Sequence, residues 1–223
     1  MIKGNVKKKF KFFNTSQTFV KGMSEKMNLP NKLTIFRVIL VPIMVIIPFF
    51  GIEGNLWGIP ITYLIIDFIF ILASLTDKLD GYIARSRNQV TAFGKFLDPL
   101  ADKILVLSAM LMLVEMNKLP AWIPIIVLAR EFLVSGYRLI AVEKGGEVIS
   151  ASKWGKLKTV TQMIAIILAF LDLHAFGTCF TGTLQGADFV LNVAVTIMMI
   201  IQTIATIFSG IDYMRGIKKY LKD

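Results

Sequence analysis

One cysteine, Cys179, and one histidine, His174, are all that this 223-residue chain holds of either type. A single thiol excludes an intrachain disulfide, and the two residues together are too few for a zinc site built on Cys and His. Charge is scarce as well: 18% of residues are charged against 55% hydrophobic, and mean hydropathy is +0.67. Those values exclude an ordinary soluble domain and call for several membrane spans. No pair of matching halves is visible, which argues against a transporter built from internal repeats.

The first 26 residues, MIKGNVKKKFKFFNTSQTFVKGMSEK, lack the continuous apolar stretch of a signal peptide. They read as a basic, flexible or surface-lying arm, with Phe10, Phe12 and Phe13 set among lysines where they can touch a headgroup layer. A disordered extension with no task is the plainer reading. The organised pattern begins at Met27, so residues 27–223 are taken as one domain.

Six apolar segments follow, at roughly 33–50, 60–76, 99–116, 121–142, 157–173 and 187–211. The expected fold is an all-α integral membrane protein with six transmembrane helices. Loop charge sets its orientation. Basic residues crowd the amino-terminal arm, the connection after the second segment (Lys78, Arg85, Arg87, Lys95), the one after the fourth, and the tail. The alternate connections hold only Lys118. The positive-inside rule then puts both termini on the cytoplasmic side of a plasma membrane, with a bacterial source the natural one. The net charge of +10 is read as facing anionic membrane lipids, with no nucleic acid partner.

Against this apolar background, LTDKLDGYIARSRNQVTAFGKFLDPLADKI at 75–104 holds four acids, Asp77, Asp80, Asp98 and Asp102. The first two are three residues apart and the last two four apart, so on helices each pair shares a face. The second and third segments run antiparallel, which lets the pairs meet at the cytoplasmic edge. Unscreened, each close pair costs about 4 kcal/mol at an effective dielectric of 20. Divalent cations offset that cost, and an all-carboxylate set favours Mg²⁺ or Mn²⁺. Bridging carboxylates suit about two such ions, the arrangement used for displacement at phosphorus. Gly81, Ala84 and Gly94 leave room for a bulky group, and Arg85 can fork onto a phosphate. A diphosphate is the natural guest. A divalent-cation transporter, the remote alternative, would spread its acids through the depth of several spans.

Two further polar groups stand out. Asn31, Thr34 and Arg37 recur at three-residue spacing on one helix face, where they read either as a diphosphate or nucleotide contact or as a cap followed by a snorkelling arginine. Arg130 and Arg138 in the fourth segment, with Lys156 and Lys158 opening the fifth, could form a cationic pocket for an acceptor's phosphate. Snorkelling to headgroups is the competing reading. Arg130 would lie about 12 Å deeper than Arg138 at 1.5 Å per residue, where an unpaired arginine is costly. Asp67 receives no role, and Trp57, Trp122 and Trp154 read as interfacial anchors.

The pattern Asp77-x-x-Asp80-Gly81-x-x-Ala84-Arg85, eight residues, Gly94-x-x-x-Asp98-x-x-x-Asp102 resembles the complete signature of the CDP-alcohol phosphotransferase family. The likeness takes in the PNKLTIFR and AREF segments and the six-span layout, from about Asn28 onward. It implies transfer of a phosphatidyl group from CDP-diacylglycerol to an alcohol, glycerol 3-phosphate being favoured. Inositol phosphate, serine or phosphatidylglycerol would use the same aspartates. By the same likeness Asp77, Asp80 and Asp98 hold two metal ions, and Asp102 is both a ligand and the base that deprotonates the acceptor hydroxyl. Gly81, Ala84, Arg85 and Thr91 contact the cytidine nucleotide, with Asn31, Thr34 and Arg37 beside them. A homodimer is implied as well. Asp102→Asn is expected to abolish nearly all CMP release while nucleotide binding is largely kept; wild-type turnover in that variant would refute the proposed base.

Overall fold

The structure, a computed structural model, describes residues 29–86, 92–143 and 153–217. Six α-helices occur among them: α1 (Leu29–Ile46), α2 (Ile61–Ser86), α3 (Ala92–Glu115), α4 (Trp122–Glu143), α5 (Lys153–Leu171) and α6 (Gly186–Ile217). The amino-terminal arm 1–26 lies outside the described residues. Each apolar segment of the sequence becomes a helix, but the helices do not end where the apolar runs end. α2 continues through the polar stretch to Ser86, and α3 begins at Ala92, so the aspartate motif is helical on both arms. Pro42 sits inside α1, while Pro48 falls in a 3-10 turn at Ile47–Phe50 closed by Gly51 in the left-handed region, φ 58°.

One element departs from an all-α reading. Asn55–Leu56 pair antiparallel with Ile59–Pro60, and the turn between them holds Trp57 at φ 55° and Gly58 at φ 83°. Two consecutive positive φ values make a type I′ turn, whose twist suits a tight hairpin. Two-residue strands carry no periodicity, so only Gly58 marked the place in sequence.

By composition and length, Asn31–Phe50, Trp154–Leu171 and Gly186–Arg215 are apolar enough to cross a membrane. α2, α3 and α4 miss that standard because every 18-residue stretch of each contains at least three charged residues. In α4 these are Arg130, Glu131 and Arg138. Among the charges that hide these helices are Asp77, Asp80, Asp98, Asp102 and Arg130, which were singled out for chemistry.

The described chain falls into two compact units, one from 29–44 with 71–105 and one from 45–70 with 106–217. The first is centred on Leu40, Val41, Met44, Ala73, Ala101 and Leu105, all buried. In the second, α6 packs most extensively on α5 and then on α4, around Phe70, Met110, Leu113, Ile166, Phe170 and Met199. Its polarity is inverted relative to a water-soluble fold. Asn192, Thr196, Gln202, Thr203, Thr206 and Ser209 of α6 are buried, while Val190, Ile197, Ile201, Ile204, Ile207 and Phe208 are exposed. Buried threonines satisfy themselves on their own helix, Thr203 donating to the Met199 carbonyl at 2.7 Å and Thr206 to that of Gln202 at 2.6 Å. Small polar residues inside and branched apolar ones outside are the pattern of a helix whose solvent is lipid.

Lys118 ties the connection between α3 and α4 to the end of α5. It is buried, its Nζ donates to the carbonyls of Ala169 at 3.3 Å and Phe170 at 3.1 Å, and it lies 4.0 Å from the centroid of the Tyr63 ring. A cation at the last carbonyls of a helix also suits the helix dipole. Burial pushes the Lys118 ammonium down to about 8, against the opposing pull of Asp172 and Asp67. An unfolded chain, with lysine near 10.5, therefore binds more protons between about 8 and 10.5, so stability rises with pH over that window. Thermal midpoints in detergent should climb from pH 8 to 10 by a component that Lys118→Met lacks; equal slopes in the two proteins would count against the buried ammonium.

Candidate active site

Three helices of the first unit converge through α1. Thr34 Oγ1 donates to Asp98 Oδ1 at 2.6 Å, and Arg37 Nη1 lies 2.8 Å from Asp77 Oδ1. Thr34 and Arg37 are one turn apart, so α1 presents a hydroxyl to the acid of α3 and a guanidinium to the acid of α2 from one face. The Thr34 bond is as short as a hydroxyl bound to an ionised carboxylate should be. Arg37 is fully buried. Its Nη1 contact with Asp77 is an ion pair by distance rather than an aligned hydrogen bond, and its Nε donates to the Ala73 carbonyl at 3.3 Å. That same carbonyl accepts the Thr76 hydroxyl at 2.8 Å.

Placement on helices gives the motif its geometry. Asp77, Asp80, Gly81 and Ala84 fall at helical spacing on α2, and Asp98 and Asp102 one turn apart on α3. Pro99, inside α3, has no N–H to give the Lys95 carbonyl, which loosens the ladder beside the acids. Asn31 is buried on α1. The side chains of Asp80, Gly81, Ala84 and Arg85 lie outside the described residues, as does Thr91 altogether. Among the described residues no group of three acids, histidines or cysteines is gathered into a metal cluster. The available donors, Asp77, Asp98 and Asp102, are all carboxylates, the set that suits a hard divalent cation.

The second cationic group lies in the second unit. Arg130 Nη1 donates to Glu131 Oε1 at 2.8 Å and Lys158 Nζ donates to the same oxygen at 2.7 Å. Arg130 Nη2 reaches Ser209 Oγ at 2.5 Å, and its guanidinium carbon lies 5.6 Å from the Tyr213 ring centroid. Of the cations picked out in sequence, Arg130 and Lys158 are brought together. Lys156, two residues from Lys158 and so on another face, is exposed, and the Arg138 side chain lies outside the described residues. Glu131, which sequence reasoning assigned no place in the pocket, holds both Arg130 and Lys158. Ser209 and Tyr213 were not anticipated, since they sit in an apolar run with no motif to mark them.

The model of the CDP-alcohol phosphatidyltransferase family matches residues 27–208, and the chain belongs to that family. Among curated proteins it is 47% identical over 147 residues, 62% of this chain and 74% of the relative, to the CDP-diacylglycerol–glycerol-3-phosphate 3-phosphatidyltransferase of Bacillus subtilis. It is 38% identical to the Haemophilus influenzae protein of the same name, over 89% of this chain and 97% of that one. A probable phosphatidylglycerophosphate synthase of Mycobacterium tuberculosis is 34% identical over 87% of this chain and 84% of its own length.

The α1 contacts are testable by removing one atom. Thr34→Val, which keeps the shape and loses the hydroxyl, should lower turnover by roughly 10-fold, whereas Thr34→Ser should stay near wild type. Equal losses in both would mean that the bond to Asp98 is not what Thr34 supplies.

Proposed function

We propose that the protein transfers the phosphatidyl group of CDP-diacylglycerol to the hydroxyl of sn-glycerol 3-phosphate, giving phosphatidylglycerophosphate and releasing CMP. The observation that carries this reading is the pair of contacts by which Thr34 and Arg37 hold Asp98 and Asp77, set in the family's motif. Carboxylates pinned from outside keep their remaining oxygens for another ligand. Asp77, Asp80, Asp98 and Asp102 would hold divalent cations, Mg²⁺ or Mn²⁺, two in number. Bound there, such ions supply charge stabilisation for the diphosphate and the leaving CMP.

The protein's own groups do the rest. Asp102 accepts the proton of the acceptor hydroxyl as that oxygen attacks the lipid-bearing phosphorus. Arg85, with Gly81, Ala84, Thr91 and Asn31, engages the nucleotide and the charge that grows on it. Thr34 and Arg37 act through Asp98 and Asp77. Arg130 and Lys158 take the phosphate of the acceptor, with Arg138 and Lys156 supplying further positive charge nearby in sequence. A displacement in which both substrates are bound needs no covalent enzyme intermediate, so the configuration at phosphorus inverts.

The same reading gives six transmembrane helices with both termini and the site on the cytoplasmic side of the plasma membrane. α2, α3 and α4 cross despite their charges because the motif's acids lie at one end of α2 and α3 and Arg130 of α4 is paired with Glu131. The protein works among anionic lipids, as a homodimer. Offering purified protein CDP-diacylglycerol with glycerol 3-phosphate, inositol phosphate, serine or phosphatidylglycerol, and following CMP, tests the acceptor. Release is expected with glycerol 3-phosphate alone and should stop on chelation of divalent cations. Turnover with another alcohol but none with glycerol 3-phosphate would overturn the assignment.

A further inference from the structure

Two cations converging on a single carboxylate oxygen is an unusual economy. Arg130 and Glu131 are adjacent in α4, and neighbours on a helix diverge, so their bond requires both side chains to turn toward α5 and Lys158. Arg130 is braced from α6 as well, by Ser209 Oγ and by the Tyr213 ring. All three charged side chains are largely shielded, Arg130 at 12%, Glu131 at 16% and Lys158 at 8% exposure. Among the described side chains the cluster holds two positive charges and one negative. Arg130 Nε is also buried with no hydrogen-bond partner among the described residues. An excess positive charge beside an unused donor suits an oxyanion.

We propose that Glu131 is a positioning residue for the acceptor's phosphate. By drawing Arg130 and Lys158 onto one oxygen it sets the two heads close enough to share one phosphate group, and so favours phosphorylated alcohols over unphosphorylated ones. This rests on Arg130 and Lys158 forming the acceptor site. Left without the carboxylate, the two ammonium-type heads repel and their common point of convergence is lost.

Steady-state kinetics on the purified full chain separate the possibilities. Arg130→Ala and Lys158→Ala are measured first; if neither raises the KM for glycerol 3-phosphate, the acceptor-site reading fails and this proposal with it. If they do, Glu131→Ala should raise that KM by roughly 10- to 100-fold with the KM for CDP-diacylglycerol within about twofold. Glu131→Gln, which keeps an oxygen acceptor of the same reach, should recover most of the loss and provides the readout where the alanine variant does not fold. Added to Lys158→Ala, Glu131→Ala should cost little more, because one of the two heads it aligns is gone. A lower KM in Glu131→Ala would mark the carboxylate as a competitor of phosphate and overturn the proposal. So would unchanged kinetics, additive losses, or a parallel fall in kcat and thermal midpoint that glutamine does not relieve.

Discussion

A guanidinium with no exposed surface, that of Arg37, is the interaction on which the aspartate end of the molecule depends. Burying such an ion costs several kcal/mol, and only close partners offset it. Those partners are the Ala73 carbonyl and Asp77, both on α2, while Thr34 one turn earlier binds Asp98 on α3. α1 is thereby fixed to both arms of the motif by polar contacts rather than by apolar packing alone. In lipid, where apolar surfaces gain little from meeting one another, such contacts decide which helix faces which. The positions of two acids and the register of three helices are then one fact, so a change at Arg37 or Thr34 reaches the chemistry without touching a substrate.

The same logic orders the second unit. α6 buries its amide and hydroxyl side chains and turns its isoleucines outward. Asn192 accepts from the Cys179 amide and donates to Asp172 Oδ2 and the Ala175 carbonyl, closing one end of this polar seam, and Ser209 meets Arg130 toward the other. Lys118, the one Lys or Arg in the connections leading into α2, α4 and α6, is buried as a donor to the end of α5. Asp67 lies within its electrostatic reach and has one buried oxygen without a hydrogen-bond partner among the described residues.

Much of this was legible in the sequence, and the reasons differ by feature. Helix existence followed from apolar runs, because twenty residues of low polarity have few other fates. The extension of α2 to Ser86 and of α3 back to Ala92 followed from the spacing of the acids, which makes sense only on helices. The family was legible because eight fixed positions do not coincide by accident. What stayed hidden was pairing. Thr34 and Arg37 suggested a substrate contact by residue type, but the helix they face is set by tertiary packing, which put Asp98 and Asp77 opposite them. Glu131 carried no signal of its own in the sequence, because its partner Lys158 comes from another helix, α5. The hairpin at Asn55–Pro60 was invisible because two-residue strands leave no pattern to count.

Charge placement finally separates two kinds of chemistry within one small chain. Four acids are spaced along the motif of α2 and α3, and the buried Arg37 of α1 is paired with one of them, Asp77. Cations dominate where α4, α5 and α6 pack, and Glu131 is the opposite charge set among those. In each case a countercharge offsets part of the cost of holding ions in an apolar medium. Carboxylates suit a site for divalent cations, and paired cations suit a site for a phosphate. A countercharge that neutralised either cluster fully would stabilise the fold and remove its attraction for a ligand. Partial compensation holds ions in an apolar medium and still leaves them able to meet phosphorylated substrates, and among the described residues Arg37 and Glu131 each supply one such countercharge.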